Sequence, residues 1–502
     1  MPLRTPFLSR VSGAEPRPSG PPHDLLAVMC ACVVLVVGMV AAVNLAVPLL
    51  ASDALRPSSS GLVWIVDTYV IVFACLVIPG GGAGDRFGRK GVLLGGLVLF
   101  AIGALLSAVA PNMAVLLAAR ALTGIGAAAV LPNTLAVLIH AVPAERRGPA
   151  IATWASMTGI GGVLGNVGGG VVLAAGSWRW LFAAAAPLAL GLAAVVARCA
   201  PVSGRDDRRI DVAGTVLLVG ASIALLLGIV QGPDTGWGSA VVIGGFVCAA
   251  VLFAAWVVVE TLTAQPLLDP RLFRIPALRA ACVGMTAIFF GMFALFYVNA
   301  SFLQYAKGFG VLETGIGIIP LTVPIIVGGR DVGRVIGRIG VDATVALAFG
   351  FVGVGLLGLS WSGTSTPYIG YAAWLLVTGI GVTLALPTLS ATISGSLPPA
   401  QAGVGAGLQA TTREFGSALG VAVIGTVLTA RFVAALPPDV RGTHAPHTVA
   451  GALAATPGHS TEIVAAFVTG ADAGLRVIAA AVLVLGALAT ARAVARLRRP
   501  VR

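Results

Sequence analysis

Fourteen long apolar runs dominate the chain, each separated from the next by a short polar stretch in which Arg, Gly, Pro or Ser recur. They lie near residues 25–51, 62–83, 91–110, 113–139, 149–174, 179–199, 210–230, 239–260, 278–302, 312–333, 342–361, 367–393, 403–430 and 471–494. A helix needs about 20 mainly apolar residues to cross the hydrocarbon core of a bilayer. Inside that core every backbone N–H and C=O must be satisfied within the protein, which a helix does by itself. The pattern predicts an all-α polytopic membrane protein with about fourteen transmembrane helices. The runs at 113–139 and 403–430 exceed what a bilayer requires and are expected to tilt or overhang.

Composition narrows the class. Of 502 residues, 58% are hydrophobic and 10% charged, with a mean hydropathy of +0.99. Soluble domains carry about 25% charged residues, so a water-facing enzyme is excluded. The 66 glycines and 30 prolines are scattered through the apolar runs, as in membrane helices, and do not mark disorder.

A net charge of +12 would suggest nucleic acid in a soluble protein; here the question is which side holds the basic residues. On the fourteen-span map, 22 of the 31 fall on one side, 6 on the other, and Arg120, Arg330 and Arg413 lie in or near the membrane. The basic side is expected to be cytoplasmic, with both termini inside and the plasma membrane as the location. Arg4, Arg10 and Arg17 imitate the basic start of a signal peptide, but the run at 25–51 is too long for one and reads as a retained first helix. The bias of 29 Arg to 2 Lys (Lys90, Lys307), with abundant Ala and Gly, suggests a GC-rich bacterial genome. The polar segment 431–470 is the longest loop and falls outside by parity, a connecting loop or a gating flap.

Cysteines and histidines offer no chemistry. All six cysteines lie in or at the ends of apolar runs, without the context of a disulfide or a zinc site, and the histidines fall in the tail or in expected loops. His444 and His447 resemble a metal pair by spacing alone, so no metal is expected. No G-x-x-x-x-G-K-[ST] run is present, which disfavours ATP-driven action. No cofactor and no enzymatic activity are expected.

The most distinctive segment is GGAGDRFGRK, from Gly81 to Lys90, between the second and third runs. Its glycines permit a tight turn, and Asp85 reads either as a cap of the next helix or as a breakable ion-pair latch with an arginine, in a gating segment that also holds Arg86, Gly88, Arg89 and Lys90. This segment resembles the loop signature of the major facilitator superfamily, and a degenerate echo, GRVIGRIG from Gly333 to Gly340, follows the tenth run. Two related loops about 250 residues apart are what the repeated halves of such transporters produce.

Further segments resemble the fourteen-span drug:proton antiporter branch: WIVDTY at Trp64–Tyr69, RALTGIG at Arg120–Gly126, WRWLF at Trp178–Phe182 and PRLF at Pro270–Phe273. GGVLGNVGGG, from Gly161 to Gly170, resembles the antiporter signature G-x-x-x-G-P-x-x-G-G, with Asn166 in place of Pro. Gly161, Gly165, Gly169 and Gly170 read physically as a close helix-packing face. The resemblance covers about residues 33–495 and implies a major facilitator fold. It gives a tail at 1–24, a six-helix bundle at 25–199, two inserted helices at 200–277, a second bundle at 278–494 and a tail at 495–502.

Charged groups inside a bilayer are costly and point to function. Asp67 lies one turn after Trp64 on the same helix face, and a carboxylate beside an aromatic ring suits a lipophilic cation. Its alternative role is an interfacial helix end. Glu414 lies within the thirteenth run beside Arg413, near Gln409 and Thr411; adjacent residues diverge on a helix, so no Arg413–Glu414 bridge is assumed. Asp331, after Arg330, reads as an ion pair, a coupling group or an early helix end, and Glu260 as interfacial. Arg120 should face a cavity or a carbonyl cluster.

The expected function is proton-driven export of a small lipophilic, cationic or uncharged drug or antibiotic by alternating access. Asp67, Glu414 and Asp331 are the candidates for coupling, and Trp64, Asn44 and Gln304 for substrate contact. Protons and membrane lipid are the other partners; nucleic acid is not. Relatives carry an acid in the first span, where Met39 stands in the run Gly38–Pro48, so dicationic substrates are not expected. A proton-coupled importer and a transport-inactive sensor are the alternatives.

Overall fold

Each apolar run folds as a helix, and the polar breaks decide how sharply one helix gives way to the next. The structure, a computed structural model, describes residues 22–51, 55, 59–174, 176–202, 211–263, 269–329, 331–397, 402–441 and 448–497. The first six helices are α1 (Pro22–Ala51), α2 (Ser59–Phe87), α3 (Arg89–Ala108), α4 (Met113–Ala141), α5 (Ala144–Leu173) and α6 (Arg179–Cys199). Then come α7 (Val212–Thr235), α8 (Ala240–Leu262), α9 (Pro276–Ser301), α10 (Val311–Ile316), α11 (Ile319–Gly328) and α12 (Val332–Ile339). The last are α13 (Val341–Leu359), α14 (Tyr368–Gly395), α15 (Ala402–Ala435), α16 (Pro438–Arg441), α17 (Val449–Ala455) and α18 (Ser460–Leu497). Among the described residues there are fourteen stretches long and apolar enough to cross a membrane, and no strand.

The helices form two six-membered bundles. In the first, α1 lies along α5, α2 along α4, and α3 between α4 and α6. In the second, α9 packs on α15, α18 and α14, while α13 packs on α14 and α18. The bundles meet along two seams: α2 with α15 on one side, and α5 with α10, α11 and α14 on the other. The inserted pair sits at the first seam, with α7 against both α2 and α15. Helix α8 packs chiefly on α7, and its outer face (Val241, Val247, Val251, Val258) is exposed as a lipid-facing surface would be.

The course of the helices departs from the sequence-based expectations in four places among the described residues. The segment from Gly81 to Lys90 is not a glycine-turned loop. Helix α2 continues through Gly81 and Asp85 to Phe87, and the turn rests on Gly88 alone, at φ 99°. The neighbouring glycines serve packing instead: a Cβ on Gly80 would lie 2.3 Å from the Ala128 carbonyl oxygen of α4. Gly88→Ala is expected to cost ~1–2 kcal/mol, the penalty of a left-handed conformation, read as a lower unfolding midpoint of the purified protein.

The tenth span is broken at Gly317 and Ile318, between α10 and α11, and Tyr368 Oη donates to the Gly317 carbonyl freed there (3.1 Å). After it the chain does not loop but forms α12. Finally, the expected loop at 431–470 is largely helical: α15 runs on to Ala435, and α18 begins at Ser460. The polar residues of 460–470 hid that helix; His444 and His447 lie outside the described residues.

Candidate functional site

Helix periodicity picks out one face of α2 and one of α15. Ile71, Ala74 and Cys75 of α2 form a small buried cluster with Ala418 and Ala422 of α15 and with Leu226 and Ile229 of α7. A Cβ on Gly407 of α15 would lie 3.5 Å from Ile78 of α2. Residues at i, i+4 and i+7 share a helix face. Asp67 therefore belongs to the stripe of Ile71, Ala74 and Ile78, and Glu414 to that of Gly407, Ala418 and Ala422. The two carboxylates chosen from sequence occupy facing stripes of the two bundles, with α7 along the same seam. Trp64 joins them, packed half-buried against the same cluster.

Each acid has an arginine beside it. Arg120 is wholly buried; its Nε donates to the Ile65 carbonyl (2.9 Å) and its Nη2 to that of Val66 (3.5 Å). Its guanidinium stacks 4.7 Å from the Tyr69 ring and 5.7 Å from that of Phe182. Carbonyls and ring faces thus receive a charge that hydrocarbon would penalise. Arg120 grips the α2 backbone immediately before Asp67 and lies within electrostatic reach of that carboxylate. Tyr69 Oη donates to the Val36 carbonyl of α1 (2.9 Å), fixing α2 on its other side.

Glu414 is 4% exposed and Arg413 5%, and Arg413 Nη2 donates to Glu414 Oε1 at 3.2 Å. The pair forms although the residues are adjacent, because the long arginine side chain curls back while its guanidinium lies 5.2 Å from the Phe289 ring. Among the described residues, Arg413 Nε and Thr411 Oγ1 are buried without a hydrogen-bond partner. Gln409 turns away to α14, accepting from Ser390 (2.6 Å) and donating to Ser394 (3.1 Å).

The other candidates lie elsewhere. Asn44 is half-buried on α1 and donates to the Val40 carbonyl (3.1 Å). Gln304 sits in the π-helical turn Phe302–Ala306 that ends α9, its Nε2 buried without a hydrogen-bond partner among the described residues. Asp331 stands half-exposed just before α12, paired with Arg334, as the ion-pair and helix-end readings expected, while Arg330 lies outside the described residues. Glu260, expected at an interface, is 1% exposed and accepts from Trp256 Nε1 (3.0 Å).

Two features frame the seam. At the end that carries Phe87, Asp85 bonds Arg89 (2.8 Å) and Arg89 Nη1 reaches His140 Nε2 (2.7 Å), so the ion pair ties α2 and α3 to the last turn of α4. The placement of His140 in a helix corrects the loop expected for it. Lys90 Nζ donates to the Ala200 carbonyl (2.7 Å), while Arg86 is exposed. Along α5 the glycines form two faces. Gly161, Gly165 and Gly169 lie on Val34, Gly38 and Ala42 of α1, whereas Gly170 and the Asn166 carbonyl touch Leu312 and Gly315 of α10 in the other bundle. Asn166 spends its amide on the Gly162 carbonyl (2.9 Å), within its own helix.

Sequence reasoning missed Asp472. The last apolar run was expected to begin at 471, but α18 starts at Ser460 and places Asp472 three turns in, half-buried. No group of three or more metal-ligating side chains is found among the described residues.

Comparison with known proteins agrees with this architecture. The chain is 30% identical over 400 residues to the Multidrug resistance protein Stp of Mycobacterium tuberculosis, covering 79% of this chain and 74% of that one. It is 31% identical over 414 residues to the Cephamycin export protein CmcT of Amycolatopsis lactamdurans, covering 80% and 84%. Among solved structures, a bacterial homologue of the human lysosomal transporter Spinster, inward-facing and unoccupied, superposes with a TM-score of 0.64 at 16% identity, covering 96% and 99%. The human organic anion transporter MFSD10 gives 0.61 at 17%, covering 94% and 100%. The profile of the Major Facilitator Superfamily matches residues 29–213 and 209–421, and the chain belongs to that superfamily.

Proposed function

We propose that this protein is a proton-coupled antiporter that exports small lipophilic drugs or antibiotics across the bacterial plasma membrane by alternating access. One observation carries the reading: Asp67 and Glu414, acids of opposite bundles, lie on stripes that face each other across the α2–α15 seam. When the bundles rock, the surroundings of both carboxylates change together. A carboxyl that gains and loses a proton as its surroundings change from buried to wet exchanges that proton for substrate. Relatives named for multidrug resistance and for export of cephamycin support the substrate class. The excess of basic residues on the side of both termini supports a cytoplasmic placement of those ends.

Met39, buried on α1, supplies no third carboxylate. The seam holds Arg120 and Arg413 against Asp67 and Glu414, which favours uncharged or singly charged substrates over dications. Of the three acids considered for coupling, the role falls to Asp67 and Glu414 rather than to Asp331, which stands exposed and paired with Arg334.

The test is transport in liposomes under an imposed proton gradient, with a fluorescent lipophilic monocation and an uncharged drug as probes. Substrate is expected to move against the proton flow, and Asp67→Asn to slow the monocation more than the uncharged drug. Movement with the protons would make the protein an importer, and movement indifferent to the gradient would remove proton coupling.

A further inference from the structure

Helix α12 has a face that the described part of the chain leaves exposed. It lies between the tenth span and α13, into which it leads directly through Gly340. Val332 is buried, and Val335 and Ile336 pack on the core beside α13 and α14. The opposite face carries Gly333, Arg334, Gly337 and Arg338, all exposed.

The two arginines are one turn apart, which sets their stems about 5–6 Å from each other on the same side. The Arg334 side chain is 79% exposed and meets only Asp331, itself 55% exposed, while Arg338 has no ion pair among the described residues. A Cβ placed on Gly333 or Gly337 would touch nothing within 4 Å, so the strip between the guanidinium groups is open down to the backbone. Because α12 joins two membrane-length spans, its outward cations stand at the membrane surface, within reach of anionic headgroups.

We propose that this face of α12 binds the phosphate of an anionic phospholipid in the adjoining leaflet, with Arg334 and Arg338 clasping it and Gly333 and Gly337 admitting it to the backbone. Charge complementarity selects anionic over zwitterionic lipid. The position at the membrane surface selects a lipid over a soluble phosphate, since acyl chains anchor the ligand beside the helix. Arg334 gives up its exposed contact with Asp331 to do so. The site requires only that the chain spans a membrane, and it does not depend on the direction of transport or on its coupling.

The experiment uses the full-length protein in neutral mixed micelles, titrated with phosphatidylglycerol, phosphatidylcholine or glycerol phosphate, and reads the unfolding midpoint together with lipid retention by native mass spectrometry. Phosphatidylglycerol is expected to raise the midpoint and to be retained, while the other two do neither. Arg334→Gln with Arg338→Gln should weaken phosphatidylglycerol about 25-fold, near fivefold for each arginine. Gly333→Leu with Gly337→Leu keeps the charge and favours the helix, yet should also lower retention by closing the strip. Arg274→Gln, another exposed cation, should change nothing. Equal retention by the double arginine variant, an equal loss in Arg274→Gln, or a response to glycerol phosphate matching that to the lipid would each overturn the assignment.

Discussion

Glu414→Gln is expected to leave the protein folded while cutting gradient-driven transport at least about tenfold, a barrier change of ~1.4 kcal/mol or more. The amide keeps the shape of the carboxylate and an oxygen for Arg413 Nη2, but it has no proton to release. Glu414→Ala is a different experiment. It removes the acceptor oxygen as well as the charge beside Arg413, 5% exposed, leaving the guanidinium with neither counterion nor hydrogen-bond partner on that side. Breaking a buried pair in this way costs ~3–5 kcal/mol. The alanine variant should therefore unfold early, and removing both charges in Arg413→Gln with Glu414→Gln should recover stability without recovering transport. Gradient-driven rates matching wild type in Glu414→Gln, measured in the same liposomes, would refute the coupling role.

Gly165→Val is expected to prevent assembly of the first bundle. A Cβ on Gly165 would stand 2.1 Å from the Gly38 carbonyl oxygen and 2.5 Å from its Cα, so the α1 backbone itself must move. Overpacking by a single methyl costs ~1–3 kcal/mol where neighbours give way, and here the neighbour is main chain, which gives way least. Gly165→Ala should lower the unfolding midpoint, and Gly165→Val should aggregate on size exclusion. Gly168 is the control: nothing lies within 4 Å of its position, and Gly168→Val should migrate as wild type. Normal assembly of Gly165→Val would mean that α1 and α5 are not held as close as described.

The helices were legible because hydrocarbon tolerates little else. Thirteen of the fourteen apolar runs became single membrane-length helices and the tenth a broken pair, and an arginine at mid-span had to find carbonyls, as Arg120 did with Ile65 and Val66. Partners were not legible. Periodicity places Asp67 and Glu414 on helix faces, but only the packing of α2 on α15 says that those faces meet. The glycines of Gly81–Lys90 looked like turn residues; whether a glycine bends the chain or admits a neighbouring helix depends on that neighbour, here α4. Likewise, adjacency argued against an Arg413–Glu414 bridge until Phe289 supplied a surface for the guanidinium to lie along. Breaks inside apolar runs, such as Gly317–Ile318, were hidden by hydropathy, which averages over them.

The loose attachment of α8 gives the protein a natural spectroscopic handle. Cys30, Cys32, Cys75 and Cys282 are buried, Cys199 is partly so, and Cys248 on the outer part of α8 is exposed. A membrane-soluble thiol label should react there first, without any engineered cysteine. Because α8 is carried by α7, and α7 leans on both bundles, the distance from that label to a second probe in either bundle becomes a ruler for the opening of the α2–α15 seam.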